Sequence, residues 1–85
     1  MTDRQFIINK AILDVLAQTA GYLAPDQAIE DQVNLRLEPQ ATKVEFQERM
    51  RALEADGLVA GANLAHRPGR GWMSTDKGRV ARSQM

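Results

Sequence analysis

Thr42-Lys43-Val44-Glu45-Phe46-Gln47-Glu48-Arg49-Met50-Arg51-Ala52-Leu53-Glu54-Ala55-Asp56-Gly57-Leu58-Val59 is the stretch on which the fold turns. Thr42 and Glu45 stand three apart, the spacing of a capping box, in which a hydroxyl and a carboxylate satisfy the free amides of a helix start. Phe46, Met50 and Leu53 recur at i, i+4 and i+7, one apolar stripe on a helix. Gly57 then supplies the left-handed residue that closes a helix without strain. Leu58-Val59 resumes as a strand. The stretch therefore predicts a helix over 43–56 that hands over directly to an extended segment.

Outward from it, the whole chain has 85 residues, room for one small domain (1–85) with a single core. A chain of this size buries roughly 60–65% of its unfolded surface. With 44% hydrophobic and 26% charged residues it reads as an ordinary globular chain rather than a disordered or fibrous one. Cysteine is absent, which excludes disulfides and thiolate metal sites and makes the cytoplasm the expected compartment. Met1-Thr2-Asp3-Arg4-Gln5 is unlike a secretory leader. The apolar run from Phe6 to Leu16 is broken by Asn9, Lys10 and Asp14 and is too short to cross a bilayer.

Net charge is zero, with 11 bases and 11 acids, but the charges are unevenly spread. Residues 21–60 carry four bases against eight acids, whereas residues 61–85 carry five bases against Asp76 alone. The middle is acidic and the last third basic.

N-terminal to the central stretch, a first helix is predicted from about Gln5 to Thr19, with Ile8, Ala11, Ile12, Val15 and Leu16 on one face. Phe6 and Leu13 fall on a second ridge. That ridge either packs inside the domain or seeds a homodimer contact. Gly21-Tyr22-Leu23 offers a short extended piece. Pro25 and Asp26 open a second helix, because proline lacks the amide left unpaired in a first turn. Ala28, Ile29 and Val33 form its inward stripe, and Asp26, Glu30 and Asp31 are read as a solvated face at its start. Pro39 bars a continuous helix into the next.

C-terminal to it, Val59 to Ala65 and Trp72-Met73 form two strands around His66-Arg67-Pro68-Gly69-Arg70-Gly71. Pro-Gly is a strong turn signal, and an arginine stands on each side of the tip. Trp72 is expected to fold onto the core. Ser74-Thr75-Asp76-Lys77-Gly78-Arg79 opens a short last helix or turn reaching toward Arg82.

Two of these passages carry a resemblance. Leu53-Glu54-Ala55-Asp56-Gly57-Leu58-Val59 is similar to the LExxGLV passage that closes the recognition helix in many bacterial winged helix-turn-helix repressors. Thr75-Asp76-Lys77-Gly78-Arg79 resembles the TxxGR that follows the second wing strand in the same broad family. The likeness runs from about Ile8 to Arg82. It implies an α+β winged helix-turn-helix: a three-helix core, a two-stranded β-hairpin wing and a short C-terminal helix. It also implies a small non-enzymatic transcription regulator that binds double-stranded DNA. Apart from the resemblance, a homodimer through Phe6 and Leu13 is expected, since two copies would double the few phosphate contacts that one neutral domain can make. Carried over residue by residue, Lys43, Gln47 and Arg51 would face the major groove, Thr42 a phosphate at the helix start, and Arg67 and Arg70 a backbone or minor groove.

The helix from Lys43 to Asp56 nevertheless holds three bases against four acids. That supports the alternative of a winged helix that docks a protein, using its acidic helices as the face and Phe6, Leu13 or Trp72 as anchors. No cofactor, metal or catalytic role is expected. His66 is the sole histidine, Ser74 and Thr75 have no base to activate them, and the glycines do not follow phosphate-loop spacing.

Overall fold

The computed structural model describes residues 1–20, 22–65 and 68–85. Over the described residues the chain is α+β, with four helices and a three-stranded antiparallel sheet. In chain order these are α1 (Asp3–Gln18), β1 (Ala24–Pro25), α2 (Asp26–Leu35), α3 (Lys43–Ala55), β2 (Val59–Asn63), β3 (Arg70–Ser74) and α4 (Asp76–Ser83). None of the described helices is long and apolar enough to cross a membrane.

Helix α3 has the ends its sequence asks for. The Thr42 hydroxyl accepts from the Glu45 amide at 3.1 Å, and the Glu45 carboxylate accepts from the Thr42 amide at 3.0 Å. At the far end Gly57 takes φ 76°. Its amide donates to the Glu54 carbonyl at 3.0 Å, while the Leu58 amide reaches back to the Leu53 carbonyl at 2.9 Å. These two bonds form a Schellman closure and aim the chain straight into β2. Helix α1 begins earlier than its apolar stripe suggests, because Thr2 and Gln5 make a second capping box. Pro25 stands just before α2 as its extended N-cap and not within the first turn, which begins at Asp26.

The sheet runs β1-β3-β2. The hairpin pairs Val59 with Ser74 through Asn63 with Arg70. In place of a two-stranded sheet, a third strand is added, because Ala24 and Pro25 pair with Trp72 and Gly71. Proline is tolerated there since β1 is an edge and needs no outward amide. The extended piece thus lies at Ala24–Pro25, not at Gly21–Leu23, of which Gly21 is outside the described residues.

Helix α1 packs against α2, α3, α4 and β3. Ile8, Ile12, Leu16, Ile29, Val33, Phe46 and Leu53 are each fully buried between them, and Met50, Val59 and Trp72 close the core. Ala28 is exposed, so the inward stripe of α2 is Ile29 and Val33 alone.

The second ridge of α1 is split. Phe6 is 39% exposed, but Leu13 is 1% exposed and belongs to the core, so it cannot meet a second copy. The reason is α4, which lies on α1 and holds it through Arg82, whose Nε donates to Asp14 Oδ1 at 2.7 Å. Leu13 lies beneath that contact, beside Ala17, Ser74 and Gly78.

Asp14 also accepts from Lys10 Nζ at 3.0 Å. Burial by itself would raise the Asp14 carboxyl, yet the hydrogen bonds and charges of Lys10 and Arg82 carry it below its ordinary 3.8. Glu45 is held below its ordinary 4.5 by the Thr42 amide and then by Arg4. A carboxyl whose folded pKa is depressed adds stability above its unfolded pKa and loses it as pH falls through the folded value. The melting temperature is therefore expected to hold between neutrality and about pH 5 and to drop below about pH 4. Asp14→Asn and Glu45→Gln should each lower it at pH 7 and flatten that acid limb, as read by thermal melts followed by circular dichroism.

Candidate functional site

Because Phe46, Met50 and Leu53 turn inward, Gln47, Arg51 and Glu54 fall along the flank of α3 that faces β3. They border a cleft of about 240 Å³ whose other walls are Asp26 at the start of α2 and Arg70 and Trp72 on β3. Trp72 lies under this cleft at 6% exposure. Its indole Nε1 donates to Asp26 Oδ1 at 2.7 Å, tying β3 to the first turn of α2. Asp26 is thus a buried ring's partner and not simply part of a solvated face.

Arg70 does not point outward from the hairpin tip. Its guanidinium lies over the Trp72 ring, 4.7 Å from the centroid, and Nη2 donates to Glu54 Oε2 at 3.1 Å. Stacking on an indole and pairing with a carboxylate hold the arginine in one place beside α3. Its side chain remains 49% exposed, so it stays available to solvent and to a ligand.

The remaining site residues are distributed as follows. Lys43 is 65% exposed at the start of α3, with Nζ 3.4 Å from Glu30 Oε1 on α2. Thr42 is exposed, but its hydroxyl is engaged in the cap. Gln47 is half-buried in the cleft wall and Arg51 is exposed at its lip. Arg67 lies outside the described residues. The structure thus brings Gln47, Arg51 and Arg70 together around one cleft. Asp26, Glu54 and Trp72 join them there, and sequence spacing had not linked these three to the site.

The electrostatics are balanced. Glu30 offsets Lys43 and Glu54 offsets Arg70, whereas Arg49 and Arg51 have no ion pair among the described residues. Glu48 is exposed on the same helix and likewise has no ion pair among them. Glu45 is turned to the opposite flank, where it pairs with Arg4 at 3.4 Å. Arg4 also donates to the Pro39 and Gln40 carbonyls at 2.9 and 3.0 Å, fastening the turn before α3 to α1. The cleft therefore offers one amide and two guanidinium groups beside two carboxylates, Asp26 and Glu54, so its formal charges balance while its donors suit hydrogen-bonding edges and anionic oxygens. Comparison with protein-family models and with curated proteins yields no match to this chain.

Proposed function

We propose that this chain is a winged helix-turn-helix domain that binds double-stranded DNA as a transcription regulator, with α3 in the major groove and the β2–β3 hairpin as its wing. The observation that carries the reading is the edge formed by Lys43, Gln47 and Arg51. Spaced at i, i+4 and i+8, they rise about 12 Å along α3, away from the buried stripe, with Gln47 and Arg51 beside Arg70. Gln47 can present its amide to an adenine edge, and Lys43, Arg51 and Arg70 can reach phosphates or guanine. The Arg70–Glu54 pair is exposed on both sides, and such pairs contribute about 0–1 kcal/mol, so a phosphate oxygen can replace that carboxylate at little cost.

The test is titration of a labelled random-sequence duplex at low and moderate salt. The logarithm of the affinity should fall by about 0.9 per phosphate neutralised for each tenfold rise in salt. Arg51→Ala and Arg70→Ala should each weaken binding and reduce the slope by about 1. Absence of binding at low salt, or unchanged binding in the double variant, overturns the proposal.

Val44 favours a second reading. It is an aliphatic side chain 66% exposed on the outer face of α3, close in sequence to the exposed Glu48. An apolar and acidic face of that kind fits the docking of a protein partner, whose binding would depend little on salt.

A further inference from the structure

We infer that the cleft between the end of α1 and the outer side of α2 is a binding site for an uncharged, planar ring compound that carries a carbonyl oxygen. The cleft holds about 330 Å³, the lower end of the range that small-molecule sites occupy. Its apolar walls come from three elements: Val15 on α1, Ala24 on β1, and Ala28 and Ile29 on α2. Gln18, Thr19, Tyr22 and Gln32 complete the lining on the more exposed side.

Arg36 decides what the two glutamines offer. Its Nη2 donates to Gln18 Oε1 at 3.0 Å, and its Nη1 donates to the Gln32 carbonyl at 2.8 Å and to Gln32 Oε1 at 3.4 Å. A guanidinium has donors only, so the amide oxygens must be the atoms that turn toward it. The Nε2 groups of Gln18 and Gln32 are left with no hydrogen-bond partner among the described residues. Arg36 has no ion pair among them either, so its charge polarises both amides and strengthens their N–H groups as donors. The same bridge ties the end of α1 to α2 and holds the cleft open between them.

The remaining groups narrow the ligand further. The Thr19 hydroxyl donates to the Leu16 carbonyl at 3.2 Å, which leaves its oxygen free to accept. Tyr22 is 59% exposed, a ring with one face available for stacking. No ionised side chain lines the cleft, so a charged ligand would give up water without meeting a counter-charge. A lactam answers each of these features. Its carbonyl can accept from the two amides, its ring N–H can donate to Thr19, and its flat apolar body can lie between Tyr22 and the Ala28–Ile29 wall. The inference does not rest on DNA binding, because its readout needs no nucleic acid.

The test is a nuclear magnetic resonance titration of the isotope-labelled full chain with oxindole, an uncharged bicyclic lactam. Indole, the same ring system without the carbonyl, and naphthoate, an anion of similar size, are the comparisons. Oxindole should shift the backbone amide signals of Thr19, Tyr22 and Gln32 and saturate with a Kd of about 0.1–3 mM, as befits so small a ligand. Indole and naphthoate should each bind about threefold or more weakly. Gln18→Leu and Gln32→Leu should each weaken oxindole by about threefold to tenfold and leave indole unchanged. Arg36→Leu, at a positioning residue, should shrink the preference for oxindole over indole, which a loss of packing alone would not do. Gln18, Gln32 and Arg36 are exposed, and the dispersion of the same spectra shows whether each variant is folded. If Arg36→Leu unfolds, the two glutamine variants still decide. No saturable shift up to about 5 mM oxindole, shifts centred elsewhere on the chain, indole or naphthoate binding as tightly, or oxindole binding unchanged in the Gln18→Leu/Gln32→Leu double variant would each overturn the inference.

Discussion

Gly78→Ala is expected to lower the melting temperature by about 12–24 °C, taking an overpacking cost of about 3 kcal/mol and the shift per kcal/mol of a domain this small. A β-carbon at residue 78 would stand 2.0 Å from the Leu58 carbonyl oxygen and 3.0 Å from its carbon. Neither side of that contact is free to retreat. The Leu58 oxygen accepts from the Thr75 amide at 3.1 Å, and the Thr75 hydroxyl donates to the Gly57 carbonyl at 2.6 Å. Lys77 Nζ adds a bond to the Asp56 carbonyl at 2.8 Å. The start of α4 is thus clamped over the end of α3, and only hydrogen fits between them at residue 78. Lys77→Ala, one residue away on an exposed side chain, should cost about 1 kcal/mol or less. A Gly78→Ala melt within a few degrees of wild type would contradict the contact.

Leu13→Ala should cost about 2–5 kcal/mol, the usual range for emptying a buried leucine site. Phe6→Ala should cost no more than about 1 kcal/mol, because its ring is partly in water already. The two residues look equivalent on a helical wheel, and urea unfolding midpoints would separate them. Equal losses would place both on the surface or both inside, against the 1% and 39% exposures observed.

That contrast also marks where sequence reading succeeds. The ends of α3 are legible because capping boxes and Schellman closures are made by residues three to five apart, and Thr42, Glu45 and Gly57 suffice to specify them. The hairpin strands and the start of α2 after Pro25 are local in the same sense. Leu13 is not, since its burial depends on α4, more than sixty residues further along the chain. The β1 strand is two residues long and has no periodicity to read. At the candidate site, Gln47 and Arg51 follow from the inward stripe of α3. The Trp72–Asp26 and Arg70–Glu54 contacts join residues 46 and 16 apart, and no spacing rule announces them. An arginine flanking a Pro-Gly turn suggests a hand extended from the tip. The nearby indole and carboxylate fold it back instead.

The chain has a single tryptophan, and its ring touches α2 through Asp26 and carries the Arg70 guanidinium on its face. Nature has thereby placed an intrinsic fluorophore at the junction of hairpin, second helix and third helix. Its emission wavelength and its quenching by added solutes report on that junction without any label. Anything that draws Arg70 away, or parts β3 from α2, becomes visible as a change in the light this one residue gives off.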